Sequence, residues 1–194
     1  FGLTCSASDE QKKGLVTWID LSNNGLSGSI PNELSLLSDN LELLWLSANP
    51  DLGGALPHWI GEVKHMQSLS VFETTISGTI PDSLYNLSKL SSLRVYGSKL
   101  EGAISTEIGQ LNNMQWLWIH GCEFTGTIPT ELGSLKKLEA LTVHGNAFDP
   151  SSDTLPSEVC DLRTTGMNLE HLWTNCDANR SCDCCTKCFP NKRR

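Results

Sequence analysis

The chain has 194 residues, of which 39% are hydrophobic and 16 are glycine, and its formal net charge is −8 at pH 7. This apolar content is that of a folded protein and excludes a disordered chain. The negative charge repels a phosphate backbone and argues against nucleic-acid binding, and no apolar stretch reaches the roughly 18 residues that cross a bilayer.

An apolar pattern recurs every 24 or 25 residues from residue 16 onward, and its first position falls at Val16, Leu41, Met66, Leu90, Met114 and Leu138. The fourth and sixth positions of each unit are also apolar, which predicts a short strand with one buried face. The ninth position holds compact side chains able to donate hydrogen bonds to backbone carbonyls as the strand turns into its loop: Asn24, Asn49, Thr74, Ser98, Cys122 and Asn146.

Most units then continue with glycine, one residue, and Ile-Pro or Leu-Pro, as in Gly78 to Pro81. Proline suits the first turn of a helix because its missing N–H would be unbonded there, and apolar residues at helical spacing follow it. The fourth unit has Ser105 where proline is expected, which weakens that helix start. Each unit is predicted to be a strand, a turn and a short helix.

These units resemble the leucine-rich repeat, and the Leu-x-Gly-x-Ile-Pro element resembles its plant-type extracellular subclass, known from receptor kinases, receptor-like proteins and polygalacturonase inhibitors. The resemblance implies an α/β repeat fold, a right-handed solenoid with a curved parallel sheet on its concave face and short helices or 3-10 turns on its convex face. We expect residues 1–15 to be a remnant of an N-terminal cap and residues 16–156 to form a solenoid of about six repeats. Residues 157–194 are then the last partial repeat and a disulfide-rich C-terminal cap.

Six of the eight cysteines lie near the C-terminus: Cys160, Cys176, Cys182, Cys184, Cys185 and Cys188. We expect them to form disulfides in an oxidising compartment, although closely spaced thiolates also suit zinc or an iron–sulfur cluster. Because Cys160 takes the helix slot that Gly133 holds one unit earlier, we pair it with Cys176 on the final strand, one choice among 15 connectivities. The ending also resembles secreted or surface leucine-rich-repeat proteins of diatoms.

Two cysteines lie outside this cluster. Cys5 and Cys122 are at least four strand spacings apart, about 19 Å, whereas bridged Cα atoms lie within about 7 Å. Residues 2–5 resemble the end of the subclass's N-terminal cap, in which a paired cysteine lies upstream. We hypothesise that the chain lacks a signal peptide and most of this cap, and that Cys122 is a reduced core residue.

The third, fifth and seventh positions of each strand point to the concave face, and five of the six tryptophans fall there. Contiguous exposed aromatics mark interaction sites, although cross-strand stacking that only stabilises the sheet is an alternative. We predict that the ligand-binding residues are Trp45, Phe72, Arg94, Tyr96, Trp116, Trp118, His120, His144 and Trp173.

His120 and His144 occupy the same position of successive units and should lie close together, but no third metal ligand accompanies them. They are expected to be a pH-sensitive contact or an ordinary pair. No carboxylate pair, nucleophile with a base, phosphate loop or complete metal triad is apparent, so we expect no enzyme activity, cofactor or metal.

Asn86 and Asn179 begin N-glycosylation sequons, which suit a secreted surface unless they are chance matches. The family resemblance implies a non-enzymatic extracellular recognition module, either a receptor-like ectodomain or a secreted binder. Its expected partner is an extracellular protein or peptide, with a wall glycan as an alternative; a membrane would be reached only through a segment absent from this chain. The other functions considered are a secreted inhibitor of a wall-degrading hydrolase and a structural surface protein.

Overall fold

The computed structural model describes residues 2–5, 15–149, 155–164, 167–176 and 182–190. A nine-stranded sheet runs through the repeats, and its strands in spatial order are β1 (Gly2–Cys5), β2 (Val16–Asp20), β4 (Leu43–Trp45), β6 (Ser68–Ser70), β8 (Ser92–Arg94), β10 (Trp116–Trp118), β12 (Ala140–Thr142), β13 (His171–Cys176) and β14 (Lys187–Pro190). The neighbours pair in parallel, except that β1 is antiparallel to β2. The parallel sheet confirms the predicted solenoid.

The fourth-position side chains lie in register across the sheet and form the centre of the core. Leu69 pairs with Leu93, and Leu117 pairs with Leu141, and all four side chains are buried. The regular spacing of the apolar positions therefore places one leucine on each rung directly above the last. The sixth tryptophan, Trp59, lies in the core rather than on the concave face.

Two smaller parallel sheets flank the main one, and the sequence analysis predicts neither. One joins β3 (Ser27–Ser29) to β5 (Asp51–Gly53), and the other joins β7 (Ser77–Gly78), β9 (Lys99–Ala103) and β11 (Glu123–Thr125). They arise where the glycine of each Gly-x-Ile-Pro element turns the chain. Gly102, for example, has a φ of 81°, a left-handed conformation that glycine adopts at little cost.

The convex side carries 3-10 helices η1 (Asn32–Leu37), η2 (His58–Glu62), η3 (Asp82–Asn86), η4 (Thr106–Gln110) and η5 (Thr130–Ser134), followed by helix α1 (Ser157–Thr164). A proline precedes four of the five 3-10 helices. Before η4, the Ser105 side chain accepts a hydrogen bond from the Glu107 N–H at 3.2 Å. The serine thus caps the helix that lacks a proline.

Five of the six ninth-position side chains bond to the backbone, whereas the Asn24 side chain is exposed and forms no hydrogen bond within the described residues. Asn49 Nδ2 donates to the carbonyls of Leu21 and Leu46 at 3.0 and 2.8 Å, and its Oδ1 accepts from the N–H groups of Asn24 and Leu26 at 2.9 Å. In the fifth unit, the buried Cys122 thiol donates to the Val95 carbonyl at 3.2 Å. These ninth-position side chains satisfy backbone groups that the buried turns would otherwise leave unpaired.

The six C-terminal cysteines form three disulfides, Cys160–Cys184, Cys176–Cys188 and Cys182–Cys185, with Cα–Cα distances of 5.3 to 5.4 Å. The disulfide prediction is confirmed, but the pairing of Cys160 with Cys176 is wrong. Strand β14 lies beside β13 and brings Cys188 next to Cys176, while the turn before β14 carries the buried Cys184 to α1. The sulfurs that also suited a metal are therefore bonded to one another.

The cap closes one end of the core. Val159 and Leu162 of α1 and the sulfur-bonded Cys184 are buried in the same hydrophobic cluster as the repeats. Among the described residues, no helix has the length and apolar character needed to cross a membrane. Asn179 lies outside the described residues.

Candidate ligand-binding face

One continuous stack of rings runs along the seventh positions of the concave face. We name it the ring ladder, and its members are Phe72, Tyr96, His120, His144 and Phe189. Successive centroids lie 4.4, 4.6, 4.5 and 3.8 Å apart, and neighbouring planes are within 14° of parallel. The stack forms because the strands, about 4.8 Å apart, place equivalent side chains at ring-stacking distance.

The ring ladder presents the edges of its inner rings to solvent, because each inner ring is covered on both faces by its neighbours. All five rings are half-buried. The His120 ring is also fixed by a 2.8 Å hydrogen bond between its Nδ1 and the Thr142 hydroxyl. An aromatic edge carries partial positive charge, so this row of edges favours oxygen atoms with partial negative charge.

Two tryptophans lean against the ring ladder and carry cations above them. Trp118 is tilted against Tyr96 at 6.0 Å, and the Arg94 guanidinium lies 4.7 Å from the Trp118 centroid. Trp173 is tilted against His144 at 6.2 Å, and Lys187 Nζ lies 5.0 Å from the Trp173 centroid. Both are cation–π arrangements.

Serines form the floor between the tryptophans. Ser68, Ser70 and Ser92 are only 6, 3 and 3% exposed, since larger side chains lie over them. Trp45 Nε1 donates to Ser68 Oγ at 2.9 Å. The small side chains thus let the indoles lie against the sheet.

Unpaired polar atoms are concentrated on this face. Ser92 Oγ, Arg94 Nε, His144 Nδ1 and Trp18 Nε1 are buried without a hydrogen-bond partner, and in the described parts of the chain only one further side-chain atom, on Trp59, shares this state. A buried polar group left unpaired costs about 1–3 kcal/mol.

The histidines of the ring ladder resist protonation. Burial lowers the pKa of His120, and burial together with the nearby His120 and Lys187 lowers the pKa of His144 to about 4. Burial raises the pKa of Tyr96, and Glu73 adds to that increase. At neutral pH the positive charge of this face therefore comes from Arg94 and Lys187.

A strip without side chains borders the ring ladder. Gly97, Gly121 and Gly145 follow Tyr96, His120 and His144, have φ values of 65, 65 and 71°, and are exposed. We name this strip the glycine shelf. Glu73 Cγ lies 3.6 Å from the Cβ position of Gly97, and Asn175 Oδ1 accepts a hydrogen bond from the Gly145 N–H at 3.1 Å, so a ligand backbone can approach the ring ladder at the exposed Gly121.

The structure brings most of the predicted site residues together. Phe72, Tyr96, His120 and His144 belong to the ring ladder, with Arg94, Trp118 and Trp173 beside it. Trp116 makes no ring contact with another residue of the described segments, and Trp45 instead packs edge-on against Trp18 at 5.3 Å. The nine predicted side chains are half-buried, so the face is packed rather than fully exposed.

Sequence reasoning missed Lys187 and Phe189, because both lie in a strand of the cap. Asn175 takes the seventh position of the last repeat, and β14 pairs Phe189 with it. Phe189 then reaches over that position to His144. The sequence shows that Asn175 breaks the row of aromatic seventh positions. No periodic pattern indicates that Phe189 supplies the next ring.

The histidine pair is part of the stack, with Tyr96 and Phe189 on its outer faces. Within the ranges given for the structure, the one group of three residues close enough to share a metal consists of cap cysteines. The pair therefore has no third ligand there.

The family model of the leucine-rich repeat region matches residues 19–190. The chain belongs to the leucine-rich repeat family. No curated protein sequence matches it.

Solved structures of plant receptors resemble this repeat protein. The Arabidopsis receptor kinase HAESA, in complex with the peptide hormone IDA and a co-receptor, aligns with a TM-score of 0.75 and 29% identity over 90% of this chain and 28% of its own. The plant peptide hormone receptor RGFR1, in complex with RGF2, aligns with a TM-score of 0.73 and 28% identity over 84% of this chain and 26% of its own. Pollen Receptor Kinase 3 aligns with a TM-score of 0.73 and 28% identity over 88% of this chain and 76% of its own.

This repeat protein therefore spans about a quarter of the two hormone-receptor chains and most of the length of the third. Of these three receptors, HAESA and RGFR1 were solved in complex with their ligands. The shared fold supports a ligand-binding leucine-rich-repeat module.

Proposed function

We propose that this chain is an extracellular recognition module, a receptor-like ectodomain or a secreted binder, that binds a protein or peptide on its concave face. The observation that carries the proposal is the ring ladder, which runs unbroken from the third repeat into the cap with its edges open to solvent. The peptide complexes of similar receptors and the three disulfides, which suit an oxidising compartment, support it.

Stacking alone would stabilise the sheet, but it does not account for the polar atoms of this face. A face with a purely structural role is expected to satisfy its buried polar groups. Here Ser92 Oγ and Arg94 Nε have no partner, and within the described segments no carboxylate forms a salt bridge with Arg94 or Lys187. The two positive charges without a carboxylate partner are better explained by a ligand that supplies acceptors.

The test is a binding screen of the purified, oxidised protein against extracellular peptides, proteins and wall glycans. The Trp118→Ala, Tyr96→Ala double variant is screened in parallel, and Leu36→Ala is the control because Leu36 is exposed on the convex helix η1. Loss of two central aromatic contacts should weaken a concave-face ligand about 30-fold or more.

Circular dichroism establishes that each variant is folded before its affinity is compared. Unchanged affinity in the folded double variant would place the ligand elsewhere and contradict the proposal. A glycan bound in place of a protein or peptide would also contradict it.

A further inference from the structure

The half of the concave face nearest the C-terminus is positive on an otherwise acidic protein. From β8 to β14 the third, fifth and seventh positions hold no Asp or Glu, and the Glu73 carboxylate borders this region beside Tyr96, whereas the whole chain has a net charge of −8. Arg94 and Lys187 lie within this region, and both sit on aromatic rings. Such a local field attracts an acidic ligand and repels a basic one.

Arg94 is arranged to receive a carboxylate. Its guanidinium carbon lies 4.7 Å from the Trp118 centroid, its buried Nε has no acceptor, and among the described residues no carboxylate pairs with it. A carboxylate can accept two parallel hydrogen bonds from one guanidinium, which gives a strong and directional contact.

Lys187 supplies a second positive charge at the cap end of the face. Its Nζ lies 5.0 Å from the Trp173 centroid and 4.7 Å from that of Phe189. Strands β10, β12 and β13 separate β14 from β8, which corresponds to four strand spacings or about 19 Å. Arg94 lies over Trp118 of β10, and Lys187 lies over Trp173 of β13. The distance between the two charges is therefore shorter than that between their strands, with a lower figure of two strand spacings, about 10 Å.

We propose that the ligand is an extended polypeptide segment with two acidic side chains on one face, one pairing with Arg94 and the other with Lys187. This inference rests on the proposed function. An extended chain advances about 3.3 Å per residue and alternates its side chains, so residues at even separations share a face. Acidic residues four apart, about 13 Å, fall between the separations of about 10 and 19 Å given for the two cations.

A polypeptide fits the remaining features of the face better than a sugar does. A sugar ring stacks on the flat face of an aromatic ring, but the inner faces of the ring ladder are covered by one another. The row of ring edges suits peptide carbonyl oxygens. The glycine shelf leaves room for a backbone beside the ring ladder at Gly121.

The test is selection of displayed random 12-residue peptides on the oxidised protein. The same selection is made on the Arg94→Gln, Lys187→Gln double variant. The matched control is Lys99→Gln, Lys136→Gln, which makes the same charge change at two exposed lysines outside the concave face. Selected sequences are then synthesised with each acidic residue replaced by its amide.

We expect the recovered peptides to be enriched in acidic pairs at a separation of four over three or five. Binding should be retained by the control and lost by the concave-face variant, and each Glu→Gln or Asp→Asn change in the peptide should weaken binding about tenfold or more.

The contrary results are distinct from one another. Peptides that bind without acidic enrichment, or equally well to the double variant, would overturn this inference and leave the proposed function standing. Acidic peptides with no preference for a separation of four would overturn the two-anchor geometry. If the folded protein selects no peptide and instead binds uronic-acid oligosaccharides through Arg94, both the inference and the polypeptide ligand of the proposed function are wrong.

Discussion

The ring of Phe189 stacks on the ring of His144 at 3.8 Å and within 9° of parallel. Phe189 belongs to the C-terminal cap and His144 to the sixth repeat, so the cap adds the last member of the ring ladder. The cap is therefore both a cover for the core and part of the candidate ligand-binding face.

The Cys176–Cys188 disulfide should stabilise the protein by holding β14 against β13. It closes a loop of 12 residues, and restricting the unfolded chain in this way contributes about 2 to 4 kcal/mol. We expect the Cys176→Ser, Cys188→Ser variant to lose this amount in the free energy of unfolding, measured with urea.

The Cys182→Ser, Cys185→Ser variant is the comparison. This bond spans a separation of 3 residues, so its removal should cost roughly 1 kcal/mol less, since closure entropy rises with loop length. Equal losses from the two bonds would indicate that loop closure does not set their contribution.

Acid should destabilise the folded chain through His144. The ordinary histidine pKa is 6.5, whereas the folded value is about 4 because of burial and the adjacent His120 and Lys187. The unfolded chain therefore binds a proton that the folded chain resists, so stability falls as the pH decreases from about 6.5 to about 4. Thermal melts at pH steps across this window measure the effect.

His144→Phe is the variant that separates this effect from other titrations. Phenylalanine keeps a ring in the stack and cannot be protonated, so the decrease in melting temperature between pH 6.5 and 4 should be smaller than in the parent protein. His58→Phe, on the convex helix η2, serves as the control. Identical pH profiles for the parent and His144→Phe would show that His144 does not contribute.

The repeat positions were predictable because each depends on a local rule. Leu69 and Leu117 are buried since they alternate with outward-facing residues, and Asn49 bonds the backbone since it follows a buried strand. Phe189 was not predictable, because its place depends on how the cap folds back onto β13. The pairing of Cys160 failed for the same reason.

The ninth-position ladder predicts a large effect at Asn49. Its side chain is buried and bonds two carbonyls and two N–H groups of neighbouring turns. Alanine would leave these backbone groups unpaired, and we expect a loss of about 3 kcal/mol or more in the free energy of unfolding. Urea denaturation measures it, with the exposed Asn112→Ala as a control that should change little. A loss below about 1 kcal/mol would contradict the role of the ladder.

Glycosylation at Asn86 should leave ligand binding intact. Asn86 is exposed at the end of η3, on the convex side and away from the ring ladder. Expression in a glycosylating host should give a mass shift that an amidase removes, and the shift should be absent in Asn86→Gln. Glycosylated and deglycosylated samples should bind a concave-face ligand equally, and weaker binding by the glycosylated form would argue for a ligand that extends around the convex side.

Tyr96 and Trp118 should differ in what their removal does to the fold, although neither belongs to the leucine core. Tyr96 is stacked on both sides, by Phe72 at 4.4 Å and His120 at 4.6 Å, whereas Trp118 leans against the stack at 6.0 Å. Each aromatic pair contributes about 0.5–1.5 kcal/mol beyond its buried area, so Tyr96→Ala should unfold at lower urea than Trp118→Ala. Tyr96→Phe, which keeps the ring, should match the parent protein. If Tyr96→Ala is instead as stable as the parent, the ring ladder does not support the sheet, and its main role is at the ligand-binding surface.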